Sequence, residues 1–160
     1  MLNFNTPDLC DEYGDTLQVA KPIFTNYGRR KRFFGSIITV KCFEDNVKFV
    51  ETLETAKGGS VLVVDGGGSL DVALMGDKVT RIAMRQLVAA VIINGAVRDS
   101  KEIGNFDVAV LALAPCPKRS RKEGQGEVNV PVEFAGVSWT PGHYVYGDED
   151  GIILSETALG

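Results

Sequence analysis

Three residues carry the chemistry for which this chain can be read. Asp77 follows Gly76 at a segment start, and twenty residues beyond it the chain reads Arg98-Asp99 at the end of an apolar run. Two carboxylates and a guanidinium at segment ends can converge on a small anionic ligand. Their shared chemistry is the stabilisation of negative charge, by a metal on the carboxylates and by the planar fork of the arginine. Each residue also has a plainer use. An aspartate near a helix start caps exposed N–H groups, which suits Asp77, and Asp99-x-x-Glu102 has the spacing of a capping box. Arg98 is harder to assign to structure alone, because a buried strand ending in arginine sets a fixed charge at the carboxyl edge of a sheet, where open α/β folds collect ligands.

The metal chemistry open to this chain is oxygen-based. His143 is the one histidine, in a turn-like context after Pro141-Gly142, and Cys10, Cys42 and Cys116 are scattered, so no zinc constellation exists. Carboxylates and water suit Mg²⁺ or Mn²⁺. With that one histidine in a turn-like context, no Ser-His-Asp or Cys-His arrangement is credible. Gly66-Gly67-Gly68 after the strand Val61–Val64 invites a nucleotide reading, but Asp71 stands where the dinucleotide fingerprint needs its third glycine, and no Lys-Ser/Thr follows. The triplet remains open between a close approach to a ligand or another subunit and a simple tight turn. The basic run Lys118–Lys122, flanked by Glu123 and Glu127, reads as a solvated loop, with a partner-binding patch as the alternative.

The elements that position these residues follow from periodicity. Thr6-Pro7-Asp8 opens a short helix, with Thr6 as cap and Pro7 at the first helical position. Gly35–Cys42 reads as a strand. Lys48–Lys57 reads as a helix with Phe49, Leu53 and Ala56 inward, ended by Gly58-Gly59. From Gly76, Val79, Ile82, Ala83 and Leu87 recur at helical spacing, which puts Asp77 at or near a helix N-terminus. Val88–Val97 reads as a buried strand delivering Arg98-Asp99, with a short helix Ser100–Asn105 after it and a strand Val108–Leu113 beyond. Val128–Leu154 breaks into short β-segments. Helices alternating with buried strands, followed by β-hairpins, predict an α/β domain with an appended β-layer.

The 160 residues and 17.3 kDa fit a single domain over 1–160, with 44% hydrophobic and 24% charged residues. A net charge of −4 and a pI near 5.0 argue against direct nucleic-acid binding. Met1–Asp8 has no basic and apolar leader pattern, and no apolar run is long enough to span a bilayer, so neither secretion nor a membrane is expected. Three widely spaced cysteines suit reduced thiols in a cytoplasm.

Thr6-Pro-Asp-Leu-Cys-Asp11, Val63-Val-Asp-Gly-Gly-Gly68, Asn94-Gly-Ala-Val-Arg-Asp99, Phe134-Ala-Gly-Val137 and Tyr146–Ser155 together resemble the family of the regulator of ribonuclease E activity A. That family also holds the class II 4-hydroxy-4-methyl-2-oxoglutarate/4-carboxy-4-hydroxy-2-oxoadipate aldolases. The resemblance covers nearly the whole chain. It implies a β/β/α sandwich and a ring-shaped homotrimer with sites between subunits. The aldolase branch is marked by an aspartate, twenty residues, then Arg-Asp, which Asp77, Arg98 and Asp99 match. By that resemblance Asp99 ligates a divalent cation, Mg²⁺ or Mn²⁺, and Asp77 holds it through water, with Glu102 as a further candidate ligand. Arg98 binds the 2-oxo acid and stabilises its enolate, while the amides of Gly76, Asp77, Lys78 and Val79 take the pyruvyl carboxylate. The implied activity is a metal-dependent, pyruvate-forming lyase, an aldolase that also decarboxylates oxaloacetate. The regulator branch implies instead a non-catalytic inhibitor of ribonuclease E or its RNA helicase partner.

Overall fold

Val61-Leu-Val-Val64 is apolar at every position, so it needs cover on both faces, and the computed structural model shows both covers. The structure describes residues 3–160; Met1 and Leu2, which head the segment read for a leader, lie outside the described residues. Val61–Asp65 sits in the parallel centre of a nine-stranded sheet, between Phe33–Lys41 and Ala90–Asn94, with Ala109–Ala112 next. Ile37 pairs with Val61, Val61 with Ala90, and Ala90 with Ala109. Antiparallel strands Tyr144–Asp148 and Gly151–Ser155 extend the sheet on the Phe33–Lys41 side.

The pleat divides the core in two. Val61, Val63 and Ile92 pack beneath the hairpin Val132–Phe134/Val137–Trp139, whose Trp139 is fully buried, stacked on Phe134 at 4.8 Å and hydrogen-bonded through Nε1 to its carbonyl. Leu62, Val64, Val91 and Ile93 face the helices instead. Each such side chain contributes about 1.5–3 kcal/mol when fully buried. The result is a mixed α/β fold with a β-layer on one face of the central sheet and helices on the other.

Helix α1, Thr6–Tyr13, begins one residue off expectation. Asn5, not Thr6, is the cap, accepting the Asp8 amide at 2.9 Å, since Pro7 has no N–H to offer. Thr6 is thereby released to bind Asp148 through its amide and hydroxyl, both at 2.7 Å. Helix α2, Val47–Glu54, stops short of the predicted Lys57, because Thr52 and Thr55 turn their hydroxyls onto the carbonyls of Lys48 and Thr52. Helix α3, Asp77–Arg85, closes before Leu87. There Leu87 takes a left-handed φ of 58°, its amide reaching the Met84 carbonyl and that of Val88 the Ala83 carbonyl. Leu87 is consequently 73% exposed rather than part of the buried face.

The predicted strand Val88–Val97 is two strands. Ala90–Asn94 belongs to the large sheet, and Ala96–Val97 joins Ala73–Met75 and Ala114–Pro115 in a small parallel sheet. The break follows from Asn94, whose carbonyl accepts the amides of Gly66 and Gly68 and whose Nδ2 donates to Asp65. Those bonds turn the chain out of the large ladder. Helix α4, Ser100–Ile103, follows directly. The three cysteines are free, and burial beside Asp45 and Asp65 pushes the Cys42 thiol up to about 12. Among the described residues no helix is long and apolar enough to cross a membrane.

Candidate active site

The small parallel sheet delivers two chain ends to one place. Ala73–Met75 runs into Gly76 and α3, Ala96–Val97 runs into Arg98-Asp99, and the Arg98 amide donates to the Met75 carbonyl at 2.8 Å. Asp99 takes a left-handed φ of 56° at the start of α4 but does not cap that helix. Its Oδ2 accepts the Asp77 amide at 3.0 Å, so it caps α3 from 22 residues away. The capping box expected for Asp99 and Glu102 is therefore absent. Glu102 is exposed and stands outside the cavity wall.

Gly76 permits this contact. A Cβ there would stand 2.6 Å from Asp99 Oδ2 and 3.3 Å from Arg98 Cγ, too close for both to keep their places. The backbone at Gly76 is extended, with φ −137°, so the requirement for glycine is space and not conformation. Asp77 does not serve as the cap either. Arg81, 3.0 Å away and one turn on, hydrogen-bonds to its carboxylate and holds it below the usual carboxylate range. Partial burial opposes that lowering, while the Asp99 carboxyl group and the Lys78 amide add to it.

These residues line a cavity of about 200 Å³. Gly76, Asp77, Lys78, Val79, Arg98 and Asp99 are all in its wall, so all the expected site residues except Glu102 come together. The amides of Lys78 and Val79 precede the first internal bond of α3, Thr80 N–H to the Gly76 carbonyl, and form the positive end of the helix. Arg98 is exposed and makes no ion pair among the described residues, which leaves its fork for a ligand.

Four further lining residues were not among the expected site residues. Asn46, Arg119, Ser120 and Lys122 complete the cavity. The run Lys118–Lys122 exposes its four basic residues, as a solvated loop does, but its backbone is anchored: Asp45, fully buried, accepts the amides of Glu123 at 2.8 Å and Gln125 at 3.3 Å, and the Arg121 amide donates to the Glu44 carbonyl. Burial would raise the Asp45 pKa, but these amides and that of Val47 hold it below the ordinary value. The legible signal was the alternation Arg119-Ser120-Arg121, a short side chain between two long ones, which suits an extended segment with its middle residue inward. Four cations and two carboxylates line the cavity of a chain whose net charge is −4, so it is a local focus for anions.

The donor chemistry fits a hard cation. Among the described residues no three or more His, Cys, Asp or Glu side chains are grouped to hold a metal. The paired Asp77 and Asp99 carboxylates fit an ion that keeps most of its water and takes one or two protein oxygens. The glycine triplet offers no comparable site. Gly66 and Gly68 amides go to the Asn94 carbonyl, each at 3.1 Å, and the Gly67 amide to Asp65 at 3.0 Å, so the turn is closed upon itself.

A β/β/α sandwich with this junction of an aspartate, an arginine and a helix N-terminus defines the class: the Aldolase/RraA model of the RraA-like family matches residues 6–154, and the chain belongs to that family. Among relatives, proteins named "Putative 4-hydroxy-4-methyl-2-oxoglutarate aldolase" from Bacillus cereus and Pseudomonas fluorescens are each 47% identical, over 98% and 99% of this chain and 98% of theirs. The chain is also similar to a solved structure named S-adenosylmethionine: 2-dimethylmenaquinone methyltransferase from Geobacillus kaustophilus HTA426, with 49% identity, a TM-score of 0.96 and coverage of 98% and 97%. A structure named as the RNA-processing inhibitor RraA from Thermus thermophilis is 41% identical, with a TM-score of 0.95 and coverage of 99% and 96%.

Proposed function

We propose that this chain is a divalent-metal-dependent, pyruvate-forming lyase that cleaves 4-hydroxy-2-oxo acids, 4-hydroxy-4-methyl-2-oxoglutarate among them, and decarboxylates oxaloacetate. The observation that carries the reading is the Asp99 carboxylate. It bridges to the N-terminus of α3 instead of capping its own helix, and so stands beside Arg98 and the helix amides in one cation-lined cavity.

Both reactions break the bond between C3 and C4 of a 2-oxo acid and leave the electron pair as pyruvate enolate. In aldol cleavage the 4-hydroxyl loses its proton and C4 leaves as a carbonyl; in decarboxylation C4 leaves as CO₂, and no hydroxyl proton has to move. Protonation at C3 then gives pyruvate. The amides of Lys78 and Val79 receive the pyruvyl carboxylate at the positive end of α3. Arg98 directs its two-donor fork at the oxygen where charge develops, which favours the transition state over the ground state. Asp99 directly and Asp77 through water would hold a divalent cation, which would supply Lewis-acid stabilisation of the developing negative charge. The pair with Arg81 keeps Asp77 ionised, as that role requires.

The relative named as a methyltransferase does not shift this reading, because the amides of the glycine turn are already bonded within the chain and leave no cradle for a nucleotide-like cofactor. The Thermus relative supports a second reading, a non-catalytic inhibitor of ribonuclease E or its helicase partner, in which the cavity has no turnover to perform. A homotrimer is the proposed assembly, as the family resemblance implies, with the exposed apolar side chains of Phe43 and Leu70 available for a subunit contact. The test is oxaloacetate decarboxylation before and after exhaustive chelation. Loss of activity with EDTA and recovery with Mg²⁺ or Mn²⁺ is expected, whereas a rate untouched by chelation rules the mechanism out.

A further inference from the structure

Ser120 is buried, 5% exposed, in the wall of the site cavity, and its hydroxyl has no hydrogen-bond partner. It is the one such side-chain atom found among the described residues. Buried polar groups are almost always paired in folded proteins, so an orphan beside a cavity marks a position completed by something bound there. The backbone that carries it is fixed from both sides. The Lys118 carbonyl accepts the Ala73 amide at 2.7 Å, and the backbone pairs as isolated parallel β-bridges at Arg119 with Ala73 and at Arg121 with Asp45. The hydroxyl therefore has a defined place rather than a loop's freedom.

Its neighbours identify what it meets. Arg119 and Lys122 flank it on the same wall, and Lys122 Nζ is steadied by Asn46 Oδ1 at 3.0 Å. Asn46 in turn donates to the Leu74 carbonyl at 3.0 Å. A hydroxyl on a cavity wall that also carries two cations suits an anionic oxygen, and toward such an oxygen it acts as a donor.

We infer that Ser120 is a specificity-determining residue, whose hydroxyl donates a hydrogen bond to a carboxylate oxygen at the second end of the ligand. This rests on the lyase reading, in which the α3 amides and Arg98 already take the oxygens of the 2-oxo acid end. Ser120 then separates 2-oxo acids carrying a second carboxylate from those ending in a methyl group. A site built to pair a polar group discriminates strongly against a ligand that leaves it unpaired.

Ser120→Ala tests this cleanly, because the hydroxyl supports nothing in the protein and its removal leaves the melting temperature unchanged or raised. With Mg²⁺ present, binding to the full chain is measured by calorimetry for two probes. One is pyruvate, which has no second carboxylate; the other is 2-oxoglutarate, which has one and no bond the site can break. Expected is a loss of about tenfold in 2-oxoglutarate affinity, the size of one hydrogen bond to a charged group, with pyruvate affinity unchanged. Ser120→Cys, nearly the same shape and a weaker donor, falls between. Equal loss for both probes, no loss for either, or a lowered melting temperature overturns the assignment. If the unaltered chain binds neither probe and does not decarboxylate oxaloacetate, the lyase reading itself has failed, and that is seen before any variant is made.

Discussion

Gly76→Ala tests the geometry of the site by adding a single methyl group. Alanine adopts φ −137° without strain, so the substitution acts only through space. The new Cβ would stand 2.6 Å from Asp99 Oδ2, and an ordinary contact requires 3.4 Å or more. Asp99 must therefore move by somewhat under 1 Å, and Arg98, whose Cγ would be 3.3 Å away, is crowded as well. Misplacement of a catalytic group by about 1 Å costs roughly 10²-fold in rate. The displacement also loosens the bond from the Asp77 amide to Asp99, a hydrogen bond to a charged group worth about 1.5–3 kcal/mol. Replacing glycine returns about 0.4–1 kcal/mol by restricting the unfolded chain. The net loss is on the order of 1–2 kcal/mol, equivalent to a fall in Tm of about 2–8 °C at this chain length. Pyruvate release from oxaloacetate, followed with a coupled dehydrogenase, is expected to drop about 100-fold with this modest loss of stability. A variant with the full rate and unchanged Tm would refute the claim that Gly76 makes room for Asp99.

Arg98→Lys keeps the charge and loses the fork, so kcat and kcat/KM are expected to fall together by roughly 10²–10³ with KM little changed; a raised KM with kcat preserved would make Arg98 a binding residue only. Leu87→Gly relieves a left-handed leucine that is 73% exposed, and is expected to raise stability by about 0.5–1 kcal/mol in chemical denaturation without touching the rate. The folded-state pKa of Asp45 is lowered, so its contribution to stability is complete above the unfolded value near 3.9 and is lost as pH falls through the folded value. Asp45→Asn is accordingly expected to lower Tm by several degrees at pH 7 and by progressively less as the pH is taken below about 4. A Tm difference that stayed constant across that range would remove Asp45 from the acid response.

The sequence exposes Asp77, Arg98 and Asp99 because they stand at element boundaries, where a change of period is visible in one dimension. It does not expose that Asp99 caps α3 rather than α4, since that choice is set by the pairing of Ala73–Met75 with Ala96–Val97, a contact between distant segments. The same holds for the split at Gly95, which depends on Asn94 serving the glycine turn. Val61–Val64 announced its burial, yet the division of alternate residues between Trp139 on one face and Phe49 on the other belongs to the tertiary structure. Ser120 was hidden for a different reason. Composition averages a basic run as solvated, whereas the inward position of one small residue is decided by the buried Asp45 that fastens the segment. Glu102 shows the converse: it lies near Arg98 and Asp99 in sequence, yet it is exposed and does not line the cavity.

In the proposed lyase Arg98, Asp99 and a bound cation stabilise a pyruvate enolate, and exchange of the methyl protons of pyruvate reads that event without a physiological substrate. In D₂O with Mg²⁺, the ¹H methyl signal of pyruvate should fade in the presence of the unaltered chain. The same sample should be silent with EDTA, and with an Asp99→Ala variant that circular dichroism shows to be folded. Exchange that proceeds equally in the chelated sample or in that variant, or no exchange in any sample, would contradict the account.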